Sequence, residues 1–315
     1  MREENSSFKM PDFYDELLSN SIFISGLPRS GTTLLGKIVG SLSNLEYHFE
    51  PPCFYLILSL YASSFLSFEQ AKIIISLILS EELLLESAHG RSINLRPNDD
   101  SQILHRMNWS ELNKRWNSIK NRHDAINFCN ENRLRLCVKT PCIFDSINLI
   151  RKTVKNPFFL IIIRNGFDVV NSILNKEWLS KEGLSRDLWP YVNNDSSVNI
   201  PYWVTNEYRE RWPNMTPLLR TVVMWNIHAG IYNSLEYKKD FIEIRYEDLV
   251  NNPYPLIDDL ANKLGVNKTF FTKRWIESIK NNQKNYNKNK MLELINKEDP
   301  NIASKFLKLN KIWDY

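Results

Sequence analysis

"FISGLPRSGTTLLGKIVG", residues 23–40, joins an apolar run to an apolar-periodic helix through a loop of small residues. A loop between a buried strand and a helix start aims several backbone N–H groups at one point, and the helix dipole adds positive potential there. Gly26 and Gly31 let the backbone approach a ligand without a Cβ in the way. The spacing is that of a phosphate-binding P-loop, yet Thr32 stands where the lysine belongs and Arg29 brings a different cation. Thr32 and Thr33 add hydroxyl donors.

An ATP or GTP site usually adds that lysine for the β- and γ-phosphates and an acidic strand end for Mg²⁺. Neither is present. Three later apolar runs each end in a base instead: Val138 precedes Lys139, Ile163 precedes Arg164, and Ile244 precedes Arg245. The pattern predicts an anionic ligand held by the protein's own cations, with no metal required.

The chain has 315 residues, 43% of them hydrophobic and 24% charged, as in an ordinary soluble globular protein. A net charge of +4 suits a small anionic ligand and is too weak to argue for nucleic acid. The first 20 residues have no apolar core, so neither a signal peptide nor an anchor is expected, and the expected location is cytoplasmic. Pro52 to Phe68 is uncharged but short for a membrane span and broken by serines, and it reads as a buried helix. Cys53, Cys129, Cys137 and Cys142 have no metal-ligand spacing and read as reduced thiols.

Strand-like runs at Ser21–Ser25, Leu134–Val138, Pro157–Ile163 and Phe241–Arg245 alternate with helical periodicity at Gly31–Leu42, Phe167–Leu174, Leu218–Tyr237 and Leu256–Leu264. Residues 53–86 read as two helices, with Ser67 to Gln70 as a capping box for the second. Residues 87–125 read as an irregular or helical insert, and 175–216 as a loop-rich excursion. Lys273 to Lys290 is expected to be mobile, and Phe306 to Tyr315 to dock. The alternation predicts a parallel sheet with helices on both faces.

Three motifs now come together in order. Pro28-Arg29-Ser30-Gly31-Thr32-Thr33-Leu34 resembles the phosphosulfate loop of sulfotransferases that use 3′-phosphoadenosine-5′-phosphosulfate (PAPS). Ile163 to Ser172 resembles that family's 3′-phosphate motif, with Arg164 after a strand and Ser172 eight residues on. Arg245-Tyr246-Glu247-Asp248-Leu249-Val250 with Pro253 resembles its third common stretch. The resemblance covers about residues 20–265. It implies PAPS as donor and 3′-phosphoadenosine-5′-phosphate (PAP) as product. It also implies nucleotide contacts from Pro28, Arg29, Ser30, Gly31, Thr32, Thr33, Arg164 and Ser172.

Physical reasoning agrees for Arg164 and Ser172. Eight residues is about two helical turns, so the two can close on one phosphate from different sides, and a guanidinium matches phosphate bidentately. Tyr246 matches a nucleotide-contacting tyrosine of the tyrosylprotein branch, or else is a core tyrosine at a strand end.

Sulfuryl transfer needs a base for the acceptor hydroxyl and cations for the sulfuryl and leaving oxygens. Arg29 and Lys139 are the expected cations. The family's cytosolic branch carries a Lys-Thr-His stretch with the histidine as base, but Lys139-Thr140-Pro141 has proline there. The tyrosylprotein branch and many bacterial relatives use a glutamate after the P-loop helix. Glu50, 21 residues beyond Arg29, matches that offset. Glu46 and His48 are the competitors, an unperturbed imidazole being a ready base. In that branch a C-terminal segment closes over PAPS, and Ser278, Lys280, Lys284 and Lys288 are the candidates here, with no clear motif among them.

The expectation is therefore an α/β fold: one domain over 1–315, with a P-loop NTPase-like parallel sheet flanked by helices and helical or irregular inserts. Its core spans about 20–265, and 266–315 forms a C-terminal lid or tail. The function expected is sulfuryl transfer from PAPS to a hydroxyl on a small molecule, glycan or peptide, with Glu50 as base and no nucleic acid or membrane span involved. A P-loop small-molecule kinase and a catalytically dead nucleotide-binding scaffold are the alternatives. Trp109, Trp116, Trp178, Trp189, Trp203 and Trp212 could stack on sugar rings or simply pack.

Overall fold

The computed structural model describes residues 11–186, 190–192, 198–236, 240–280 and 286–315. Five strands, β1 (Ile22–Gly26), β2 (Leu45–Phe49), β3 (Arg135–Lys139), β4 (Phe158–Ile163) and β5 (Phe241–Arg245), form one sheet. Their order is β2-β3-β1-β4-β5 and every pairing is parallel. β1 therefore lies at the centre, paired at Ile22 with Cys137 on one side and with Phe158 on the other. All five residues of β1 are buried, which is why the run is apolar without alternation.

The two faces carry separate cores. Phe23 and Phe159 point to one, where they meet Phe54 and the helix Pro217–Ser234. Ile22 and Ile24 point to the other, with Leu35, Ile38, Leu160 and Ile162. The carboxyl ends of β1, β3 and β4 converge on one edge, the usual place for a ligand in an open parallel sheet.

Several expectations need correction. β2 falls where no strand was expected. Pro52–Ala62 is a helix, but only Phe54, Leu58 and Ser59 are buried, and Leu56 is exposed. The Ser67–Gln70 capping box is present and opens Phe68–Leu77, which then widens into π-helical turns over 78–85. The insert is part irregular and part helical, with no helix over 90–102 and then Trp109–Ser118 and Arg122–Glu131. In the stretch expected to be mobile, 273–277 belong to the helix Phe270–Glu277 and 288–290 open the helix Lys288–Glu298.

The chain end docks as its apolar residues require. Pro300–Ile312 is a helix that places Phe306 and Leu309 in the first core, with Trp313 beside Trp225 at 5.2 Å. Trp189, Lys284 and Tyr237 lie outside the described residues.

Candidate active site

The loop after β1 turns through two left-handed residues, Arg29 (φ +68°) and Gly31 (φ +99°). Gly31 is required twice over: its φ disfavours a Cβ, and a Cβ there would come within 2.4 Å of the Tyr246 ring. Two more left-handed residues face the loop's surroundings, Glu50 (φ +46°) and Cys142 (φ +55°). Backbone strain of this kind is kept where the surroundings over-determine it.

Glu50 follows β2 directly, and its N–H donates to the Lys139 carbonyl at 2.7 Å, extending the β2–β3 ladder by one bond. Lys139 ends β3 with its side chain buried. Its ammonium donates to Glu50 Oε1 and reaches Thr33 Oγ1 at 3.5 Å. Burial pushes the Lys139 pKa down, and the Glu50 carboxylate opposes that shift. The strand ends thus set a carboxylate and an ammonium against the first turn of the loop helix, Thr32–Gly40.

Arg29 joins the third strand end. Its Nε donates to Ser172 Oγ at 3.1 Å, and its carbonyl accepts from Arg164 Nη1 at 3.0 Å. The Arg164 guanidinium lies over the Tyr246 ring, 4.1 Å from its centroid. Buried polar atoms are left over. Ser30 Oγ, Thr140 Oγ1 and Arg164 Nε have no hydrogen-bond partner among the described residues. Such groups are costly unless something satisfies them. Thr140 lines one of two cavities beside the loop and Arg164 the other, whereas Ser30 lines neither.

The loop separates two cavities. One, of about 380 Å³, is bordered by Arg29, Gly31, Arg164, Tyr246, Trp275 and Ser278. The other, of about 390 Å³, has Glu50 and Lys139 at one part of its wall, with Pro28 and Arg29 beside them. Tyr55, Trp178, Tyr202, Trp203, Met224 and His228 make most of the rest. Thr32 and Thr33 face both.

The structure therefore gathers Pro28, Arg29, Thr32, Thr33, Glu50 and Lys139 at one cavity, and Arg29, Gly31, Arg164 and Tyr246 at the other. Ser172 joins through Arg29. The two competing bases are elsewhere. Glu46 is buried and bonded to Arg106 (2.7 Å), Arg115 (2.8 Å) and Ser87 (2.7 Å). Burial pushes its carboxyl up, but the two guanidiniums outweigh this and hold it at about 2. His48 sits on the same face of β2, its pKa pushed down to about 4 by burial. Neither lines either cavity.

Among the tryptophans, Trp178 and Trp203 line the second cavity, while Trp212 is core and Trp109 is exposed. Of the C-terminal candidates Ser278 borders the first cavity, whereas Lys280 and Lys288 are exposed and border neither. Sequence reasoning missed Thr140, Tyr55, Tyr202, Met224 and His228. Only Thr140, next to Lys139, carried a local signal. The four free cysteines form no disulfide among themselves, and no cluster of metal-ligating side chains occurs among the described residues.

Among solved structures, the sulfotransferase domain from the curacin biosynthetic pathway is similar at 17% identity, with a TM-score of 0.45 and coverage of 81% of this chain and 77% of that one. The sulfotransferase domain of the Synechococcus PCC 7002 olefin synthase is similar at 16% identity and TM-score 0.46, over 98% and 99% of the two chains. A sulfotransferase from Alicyclobacillus acidocaldarius is similar at 12% identity and TM-score 0.42, over 93% and 96%. No curated protein matches the sequence. The assignment rests instead on the family profile described as "Sulfotransferase family", which matches residues 21–270. With that match over most of its length, the chain belongs to the sulfotransferase family, whose members transfer a sulfuryl group to an acceptor.

Proposed function

We propose that the donor is PAPS, that the acceptor is a hydroxyl, and that Glu50 removes the acceptor's proton. When bound, PAPS would supply an activated sulfuryl group on a phosphate leaving group. The single observation that carries the reading is the Glu50–Lys139–Thr33 contact at the P-loop, with a cavity on each side of that loop. Arg164, Ser172 and the loop N–H groups would hold the nucleotide's phosphates, with Tyr246 against it. Lys139 and Arg29 would neutralise the sulfuryl and leaving oxygens, which is electrostatic preorganisation. As the acceptor oxygen bonds to sulfur, its proton passes to Glu50, and the bond from sulfur to the 5′-phosphate oxygen breaks to leave PAP.

Residues 1–315 are read as one domain with 266–315 as its C-terminal lid or tail, of which Trp275 and Ser278 border the nucleotide side. Among the described residues no helix is long and apolar enough to cross a membrane. The four free thiols suit a reducing compartment, and a cytoplasmic location is part of the proposal.

Calorimetric titration tests the donor. PAP is expected to bind in excess chelator as well as in Mg²⁺, and ATP with Mg²⁺ to bind far more weakly. Tight ATP binding that needs Mg²⁺ would replace this reading with a kinase.

A further inference from the structure

The cavity beside Glu50 has an uneven wall. Its ionised side chains, Arg29, Lys139 and Glu50, are all engaged at the transfer point. Beyond them the described lining carries no charge to receive a carboxylate, a sulfate or an ammonium. Tyr55 and Tyr202 lie together beside Ser59, and burial pushes both hydroxyls' pKa values up. The volume of about 390 Å³ lies near the lower end of the roughly 300–1,000 Å³ typical of small-molecule pockets.

Two polar groups on this wall come from different elements: Thr140, whose Oγ1 has no partner among the described residues and which follows Lys139, and His228. His228 belongs to the helix Pro217–Ser234, is 2% exposed, and faces the cavity. Its ring touches Trp203 at 5.5 Å, and both residues line the cavity. Burial holds its pKa down to about 4, so at pH 7 it is neutral, with one ring nitrogen a donor and the other an acceptor. A neutral imidazole at a cavity wall can donate and accept one hydrogen bond each, and a ligand in the cavity with a matching polar group can engage it.

We propose that this cavity takes a small, uncharged, mainly apolar hydroxyl acceptor with a second hydrogen-bonding group, and that the His228 imidazole binds that second group. The proposal rests on reading this cavity as the acceptor site. It places acidic tyrosine peptides and saccharides behind such acceptors, because among the described residues the wall has no free cation and few hydrogen-bonding groups for them.

Trp178 and Trp203 line the cavity, so binding can be followed by tryptophan fluorescence with no donor present. A failure of sulfuryl transfer therefore leaves this test standing. Wild type is expected to bind 2,6-dihydroxynaphthalene roughly 3- to 10-fold more tightly than 2-naphthol, the effect of one net hydrogen bond. The ratio should fall to about one in His228→Phe and return in part in His228→Gln. The ¹⁵N resonances of the His228 ring in wild type should shift more with the diol, a readout that does not depend on a variant folding. Equal affinities in wild type, a ratio unchanged in His228→Phe, or unmoved ring resonances would overturn the proposal. So would tighter binding of a glutamate-flanked tyrosine peptide or of diacetylchitobiose.

Discussion

Glu50 holds a backbone conformation that residues with a Cβ rarely adopt, and Pro51 follows it directly. Two bonds to one residue keep it there, its N–H to the Lys139 carbonyl and its carboxylate to the Lys139 ammonium. The arrangement fixes the carboxylate at the cavity wall, and under the proposed chemistry this is where the acceptor proton must go. Glu50→Gln keeps the shape and removes the base. Turnover should fall by about 100- to 10,000-fold, while PAP affinity, which draws on the other cavity, should stay within a few-fold. Steady-state rates and PAP calorimetry on one preparation check this. Near-normal turnover would remove Glu50 from the role, and a large loss of PAP binding would make it structural. Glu50 and Lys139 were legible because each sits at a fixed offset from a motif. His228 was not, because the wall it completes is assembled from residues far apart in sequence, and one histidine in an apolar helix announces nothing.

β2 is the element that positions Glu50, and its sequence, Leu45-Glu46-Tyr47-His48-Phe49, hides a buried strand behind a glutamate and a histidine. Glu46 can lie inside because Arg106 and Arg115, from the polar insert, bring their charges to it, with Ser87 adding a bond. Arg106 also donates to the Tyr47 carbonyl at 2.5 Å, so the insert grips the backbone of β2 as well. The arginines that made the insert look irregular are thus its attachment to the sheet, a pairing no local pattern could reveal. On the opposite face of β2, Gly40 lets the Tyr47 ring pack directly on the loop helix, where a Cβ would come within 2.4 Å. Glu46→Gln leaves two guanidiniums buried with their charge unmatched, and it should cost about 3–5 kcal/mol at pH 7.

The sign of the pH dependence follows from the lowered pKa of Glu46. Its ionised form is favoured on folding, so its contribution is fully present above the unfolded value of 4.5 and is lost as pH falls toward about 2. That share is about 3 kcal/mol. Urea midpoints of wild type and Glu46→Gln at pH 7 and pH 3 should therefore differ widely at the first pH and by about half as much at the second. A gap that does not narrow would mean that the lost stability comes from packing and not from the charge.

At the scale of the whole molecule, the alternation of strands and helices and the order of the motifs announced the sheet and its ligand edge. The C-terminal helices were less legible, because their role lies in contacts made far from their own sequence. Pro300–Ile312 braces both sides of the site. Its Phe306 and the Trp313 that follows it pack on Trp225, in the helix that carries His228, and Asn226 of that helix donates to the Ile302 carbonyl at 3.1 Å. On the other side, buried Asn310 accepts from the Gly166 N–H at 2.7 Å and donates to the Phe306 carbonyl at 3.0 Å. Gly166 opens the helix that presents Ser172, two residues after Arg164. Asn310→Leu strands that N–H in the interior and should cost about 1–3 kcal/mol. Because the first core draws residues from Leu17 to Trp313 and shares the sheet with the second, unfolding should remain a single transition at a lower urea midpoint. PAP affinity should fall as well, since the start of the helix that holds Ser172 loses its partner, whereas the exposed control Lys305→Ala should change neither by a measurable amount. A lower midpoint with unchanged PAP affinity would make the helix a support for the core alone. Two separate unfolding transitions in the wild type would divide the chain into independent parts and break the physical link between its end and the nucleotide side.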